Sequence, residues 1–155
     1  MRKELNEALC GKYPEIFQNR HGDMTTTAMC WGFDCGDGWY NIIDAFCQLT
    51  QSRITQTNTH REVCKKKVEE GMMGADLMPD EVPQVVATQV KEKFGGLRFY
   101  YNGGDDVIDG FGMMAEFMST RTCETCGAPG KLRGGGWMYT ACDEHTKPED
   151  KEDEG

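Results

Sequence analysis

Two pairs of metal-prone side chains near the C-terminus constrain this chain more than any other feature. Cys123-Glu124-Thr125-Cys126-Gly127 is C-x₂-C-G, Cys142-Asp143-Glu144-His145 is C-x₂-H, and fifteen residues separate them. A C-x₂-C turn points two thiolates at one ion, and a following glycine permits the tight backbone this needs. Zinc takes four soft or borderline ligands at tetrahedral corners, so Cys123, Cys126, Cys142 and His145 read as one structural Cys₃His zinc site. A catalytic zinc keeps one coordination position open, whereas four good ligands close it. The competing reading, a reduced redox pair, leaves the second pair without a purpose.

Between the pairs, Lys131-Leu132-Arg133 and Trp137-Met138-Tyr139-Thr140 flank Gly134-Gly135-Gly136. This predicts a hairpin joining a knuckle to the second ligand pair. The arrangement resembles treble-clef zinc fingers. From Arg121 to His145 the cations Arg121, Lys131 and Arg133 balance Glu124, Asp143 and Glu144. A nucleic-acid reader needs a cationic footprint, and this module has none.

Eight cysteines in 155 residues need explaining. The N-terminus carries no apolar signal core, which predicts a cytoplasmic protein with reduced thiols rather than a disulfide framework. No apolar run is long enough to span a bilayer. The net charge of −9 disfavours nucleic acid and anionic lipid as partners and leaves protein partners open. Part of that charge lies in Lys147 to Gly155, where five acids face two lysines with no apolar residue, a composition that predicts a disordered tail.

The expected fold class is α+β: N-terminal helices, a central β-hairpin with a packed helix, and a C-terminal zinc module. The expected division is an α+β body over 1–120, a zinc-binding module packed on it over 121–146, and the acidic tail over 147–155. Leu5, Leu9, Tyr13, Ile16 and Phe17 have helical spacing broken at Gly11 and Pro14, which predicts two short helices over 3–18. Thr25 to Trp31 is β-prone and can pair at an edge. Asp37 is placed to cap a helix whose stripe is Trp39, Ile42, Ile43, Phe46 and Leu49. A further helix is expected over 59–70, with Val63, Cys64 and Val68 inward. Residues 71–84 are a long connection in which Met72, Met73 and Met78 offer an adaptable surface. Val85 to Asn102 predicts a hairpin turning at Gly95-Gly96, with Val86, Val90, Phe94, Leu97, Phe99 and Tyr101 on the core face. A helix then starts at about Asp105, with Val107, Ile108, Phe111, Ala115 and Met118 on one side.

Two further clusters are candidate sites. Cys30-x₄-Cys35 with His60-x₃-Cys64 can supply a second Cys₃His set, since His60 and Cys64 share a helix face. The plainer reading, which we prefer, makes Cys10, Cys47 and Cys64 small buried hydrophobes. Lys91, Lys93, Arg98 and Tyr100 share the outer face of the hairpin and can bind an anionic ligand such as a nucleotide signal; the plainer reading is a solvated face. No nucleophile elbow, phosphate-cradling loop or H-E-x-x-H motif is present in the sequence, so no enzymatic activity is predicted.

Gly32-Phe33-Asp34-Cys35-Gly36-Asp37-Gly38-Trp39, Val90-Lys91-Glu92-Lys93-Phe94-Gly95-Gly96-Leu97-Arg98-Phe99-Tyr100 and the C-x₂-C-G to C-x₂-H module together carry a resemblance. Over roughly residues 30–145, a span that matches one domain, the chain resembles a family of small proteins encoded by tailed bacteriophages, prophages and some bacteria. The resemblance implies an accessory protein of the host cytoplasm. The expected function is non-enzymatic binding of a host protein or complex, for example in countering host defence. Small-ligand binding at the hairpin and nucleic-acid regulation through the zinc module are the alternatives.

Overall fold

The computed structural model describes residues 1–134 and 136–151. Its fold is α+β, with long helices packed on one face of a small sheet and a second, two-stranded sheet near the C-terminus.

Helix α1 spans Lys3–Lys12 and buries Asn6 and Leu9. The second helix expected after Pro14 does not form. Tyr13, Ile16 and Phe17 are buried within a series of turns instead. The Ile16 carbonyl, which a helix would give to Arg20, accepts the Ala87 N–H at 2.8 Å and pins this segment to the sheet. Thr25 to Trp31 makes no strand either. Ala28–Trp31 forms a 3₁₀ turn whose entry is capped by the Thr27 hydroxyl, accepting from the Met29 N–H at 3.1 Å. The edge strand is β1, Phe33–Asp34, parallel to its neighbour.

The two helices expected around residues 39–49 and 59–70 are one. After a 3₁₀ turn at Asp37–Trp39, α2 runs unbroken through Tyr40–Glu69, 30 residues. Asp37 does not cap it; its carboxylate accepts from the Arg2 backbone N–H at 2.7 Å and pairs with the Arg2 side chain. Trp39, Ile43, Phe46, Cys47 and Ile54 are buried, but Leu49 is half exposed. In the second half of α2 only Cys64 is buried, and Val63 points outward. That half is held by the returning chain: Asn58 and the Val82 backbone exchange two hydrogen bonds of 2.9 Å, and Arg61 donates to the Pro79 carbonyl.

Strands β2, Val86–Lys93, and β3, Gly96–Asn102, form the hairpin, giving the sheet order β1-β2-β3. The turn lies one residue earlier than expected, which shifts each cross-strand partner by two. Lys93 pairs with Gly96, Glu92 with Leu97 and Val90 with Phe99, so the turn is Phe94-Gly95. Both turn residues have positive φ, 54° and 76°, as a two-residue turn matched to strand twist requires. Phe94 therefore leaves the core face and is exposed. A register shift between Ala87 and Gln89 reverses the alternation, placing Val85 and Ala87 inward and Val86 at the margin.

Helix α3, Asp106–Ser119, begins where its cap predicts, with the Asp105 carboxylate accepting from the Ile108 N–H at 3.1 Å. Arg53 of α2 pairs with the same carboxylate at 2.9 Å and ties the two helices together. Ile108 and Ala115 are buried, Phe111 partly so, and Val107 and Met118 stay exposed. The core between helices and sheet is aromatic: Phe46 and Phe99 lie 4.6 Å apart by ring centroid, and Phe17 and Phe33 5.0 Å.

The C-terminal hairpin pairs β4, Lys131–Arg133, with β5, Tyr139–Ala141; Gly135 of the glycine run lies outside the described residues. The segment expected as a disordered tail starts as one helical turn, α4, Pro148–Lys151, held by the Tyr139 hydroxyl donating to Asp150 at 2.5 Å. Residues 152–155 lie outside the described residues. Among the described residues no helix is long and apolar enough to cross a membrane.

Candidate metal centre and its seat on the body

The four side chains singled out by spacing come together. The ligand atoms of Cys123, Cys126, Cys142 and His145 all lie within 4.8 Å of one another and can hold a metal ion. His145 presents Nδ1, 3.2 Å from the Cys142 sulfur and 3.6 Å from that of Cys123, and the Cys126 and Cys142 sulfurs are 3.8 Å apart. Cys123 is buried; Cys126 and His145 face solvent.

Local backbone makes this arrangement. The Gly127 N–H donates to the Cys123 carbonyl at 2.8 Å, closing the first knuckle, and Gly127 itself sits at φ 79°, where a Cβ is unfavourable. The second pair rides on a 3₁₀ turn, Asp143–His145, which brings His145 back over Cys142. Buried Arg133 donates to the Ala141 carbonyl at 3.0 Å and pairs with Asp143, bracing β5 against that turn.

The thiols divide by environment. Burial works against the Cys123 thiolate, but backbone groups of Cys142, Cys126 and Thr125 hydrogen-bond its sulfur and hold it at about 6. Burial drives the other way elsewhere, pushing Cys35 up to about 12 and Cys47 well above the usual thiol range. The first is a ligand environment; the other two belong to inert core thiols.

Two sequence motifs with no evident chemistry seat this centre on the body. The backbone N–H groups of Gly36 and Gly38 donate to Glu124, one to its side chain at 2.9 Å and one to its carbonyl at 2.7 Å. The Trp39 indole N–H donates to the Thr122 carbonyl at 2.8 Å. A Cβ on Gly38 would stand 2.1 Å from the Cys123 carbonyl oxygen, and one on Gly36 2.2 Å from that of Glu124. On the other side the Thr140 hydroxyl donates to the Gly95 carbonyl at 2.6 Å, and a Cβ on Gly95 would meet Leu132 at 2.3 Å. The Gly36-Asp37-Gly38-Trp39 motif thus receives the knuckle, and the hairpin tip receives the second sheet. These contacts span more than 35 residues and have no local signature in the sequence.

The second Cys₃His set does not assemble. His60 Nε2 and Cys64 Sγ are neighbours at 3.5 Å, as one helical turn dictates. The described residues contain no other group of three or more possible ligands besides that around Cys123. The reason is the continuity of α2: His60 lies 20 residues beyond its start at Tyr40, about 30 Å along the axis. Cys30 instead donates to the Thr27 carbonyl at 3.1 Å, and Cys35 is buried where β1 ends.

Lys91, Lys93, Arg98 and Tyr100 do share the outer face of the hairpin by register. They engage neighbours: Lys91 lies beside Asp34 in the parallel pair and over the Tyr100 ring at 6.0 Å. Lys93 lies over the exposed Phe94 ring at 5.3 Å, and Arg98 approaches Glu116 of α3 at 3.7 Å. Lys93 and Tyr100 are exposed and Lys91 and Arg98 half-buried.

No protein-family model matches the chain, and no curated protein or solved structure matches it.

Proposed function

We propose that this chain is a non-enzymatic, zinc-stapled binding protein of the bacteriophage accessory kind, acting in the host cytoplasm on a host protein or complex. Zinc is the ion the donor set suits. Zn–S and Zn–N bonds of about 2.3 and 2.0 Å imply tetrahedral edges of about 3.8 Å between sulfurs and about 3.5 Å between sulfur and nitrogen. The centre offers 3.8 Å between the Cys126 and Cys142 sulfurs, and 3.6 and 3.2 Å from the Cys123 and Cys142 sulfurs to His145 Nδ1. Four protein ligands leave no position for substrate, so the ion's work is to hold the knuckle, the second sheet and the body together.

The observation that carries the binding reading is the large apolar surface on α3, where Met113, Met114, Phe117 and Met118 stand exposed on an otherwise acidic chain. Surface of this kind marks interaction sites. The zinc reading is tested by metal analysis of protein purified without added zinc: one equivalent per chain is expected, and Cys126→Ser should lose it. For partner binding, the tagged chain is titrated into host lysate. A saturable partner is expected, and its absence across host lysates would sink the reading.

A further inference from the structure

Arg20 carries a charge that no carboxylate of the described residues meets. Its Nε–H donates to the Asn6 side-chain oxygen at 3.0 Å and its Nη1–H to the Cys30 carbonyl at 2.8 Å, both neutral acceptors. These bonds tie the turns after α1 back to that helix. They leave the Nη2 end of the guanidinium fork without an acceptor among the described residues. Asn6 is left in the same condition. It is only 8 % exposed, and its oxygen accepts from Arg20 and from the Cys10 thiol at 3.7 Å. Its Nδ2 donates to no acceptor among the described residues. Buried polar groups of this kind ordinarily find a partner, and sheltered guanidinium groups an anion.

Both side chains line a pocket of about 330 Å³ between α1 and the following turns, with Lys3, Glu7, Cys10 and His21 around them. That volume is at the lower end of small-ligand sites. Gly32 makes room for the two donors. At its φ of 77° a Cβ would stand 2.4 Å from Asn6 Nδ2 and 3.2 Å from Arg20 Nη2. The sequence motif that receives the metal knuckle at Gly36 and Gly38 thus serves this pocket at its first residue.

The electrostatics favour an anion. Lys3 and Arg20 are permanent cations, and His21 adds a ring N–H. The one carboxylate, Glu7, lies 3.7 Å from Lys3 and is not paired with Arg20. Burial raises the Cys10 thiol although Arg20 works to lower it, so this neighbour stays neutral and does not cancel the guanidinium. Donors on Arg20, Asn6, Lys3 and His21 outnumber the acceptors, and two of them are charged. A phosphate group answers this set with three acceptor oxygens and nearly two negative charges. We propose that the pocket between α1 and Arg20 binds a small phosphate, as the free ion or as a monoester, with Arg20 and Asn6 holding its oxygens and Lys3 and His21 at the rim. The site lies apart from the metal centre and from the exposed face of α3, and it stands or falls independently of the partner-binding reading.

Titration calorimetry of the full zinc-loaded chain at low ionic strength tests this with inorganic phosphate, glycerol phosphate, glycerol and succinate. Saturable binding of a phosphate is expected, with none of glycerol and weaker binding of succinate. Tighter binding of glycerol phosphate assigns the site to a monoester, and equal or tighter binding of inorganic phosphate assigns it to the free ion. Heteronuclear NMR during the titration should move the Asn6 side-chain amide and the Arg20 Nε–H. R20K keeps the charge but loses the fork, and should weaken binding about tenfold or more. Arg20 also fastens the turns to α1, so K3A/H21A, at two exposed positions, is the second variant. It should weaken binding several-fold with an unchanged circular dichroism spectrum. No saturable binding of either phosphate by wild type overturns the proposal. So do binding that leaves the Asn6 and Arg20 signals unmoved, indifference to K3A/H21A, and succinate binding as tightly as the phosphates.

Discussion

The backbone N–H of Gly38 donates to the carbonyl of Glu124 across 2.7 Å, joining the turn before the longest helix to the first knuckle of the metal centre. Around this bond the two segments lie too close for side chains: Gly38 faces the Cys123 carbonyl and the Gly127 nitrogen directly. The Trp39 indole, fully buried one residue on, completes the contact through Thr122. The metal centre is therefore continuous with the body at backbone level.

Gly38→Ala should lower stability. Its Cβ would lie 2.1 Å from a backbone oxygen, which no rotamer can relieve. Overpacking of this kind costs about 1–3 kcal/mol. Gly11→Ala is the control: it sits within α1 with nothing within 4 Å of a Cβ, and should be neutral or gain up to about 1 kcal/mol. Urea titrations of the zinc-loaded proteins would measure both.

Chelating the metal should unfasten the C-terminal module and uncover Trp39. Trp31 and Trp137 are exposed already, so the blue-shifted part of the tryptophan emission belongs to Trp39. That component should shift red on chelation and recover with added zinc. Hydrogen exchange at Gly36, Gly38, Glu124 and Gly127 should rise together, whereas the amides of α3 should stay protected. Loss of protection across the whole chain would instead mean that the body cannot stand without the ion.

Asp105→Ala should cost about 1 kcal/mol through loss of the α3 cap. Burial raises the Asp105 carboxyl, but the Ile108 N–H and the Arg53 guanidinium outweigh it and hold the group below its ordinary 3.8. A depressed carboxylate stabilises the fold fully above its ordinary value, and that stability is lost as pH falls through the lower folded value. The gap between wild type and variant should be flat from about pH 5 to 8 and narrow in stronger acid, as read by urea unfolding at each pH.

Thiol labelling should separate the cysteines into two groups. After chelation Cys126 should alkylate first because it faces solvent: the Ala128 backbone works to lower its thiol, but desolvation and the Cys123 and Cys142 thiols leave it raised, so access sets the order. Cys35 and Cys47, buried and with raised pKa, should react only as fast as the body opens. Mass spectrometry of timed iodoacetamide quenches would show this; prompt labelling of Cys47 would contradict the packing around α2.

What could be read from the sequence was what is encoded locally. The ligand spacing of the metal centre, the cap at Asp105 and the alternation along β3 all lie within a few residues of the structure they produce. The length of α2 is hidden because residues 55–63 carry no apolar stripe; that stretch leans on the returning strap at Pro79 to Val82 rather than on the core. The hairpin register is not legible locally, because Gly95-Gly96 looks like the better turn. Gly96 is needed elsewhere: it is buried, with Arg98 and Thr120 against the space a Cβ would take, so Phe94 accepts the positive φ. The seating role of Gly36 and Gly38 was invisible because the backbone they meet lies more than 80 residues away.

The order of synthesis gives the Gly38–Glu124 seat a further meaning. Residues 36–39 and the hairpin tip at Gly95 leave the ribosome well before Cys123, Thr140 and the metal ligands that cover them. Until those residues emerge, the indole N–H of Trp39 has no carbonyl to meet and the glycine turn has no lid. Uptake of an ion by the four candidate ligands would therefore come after its seat has been made, and a chain starved of zinc would keep that receiving surface open to chaperones and proteases.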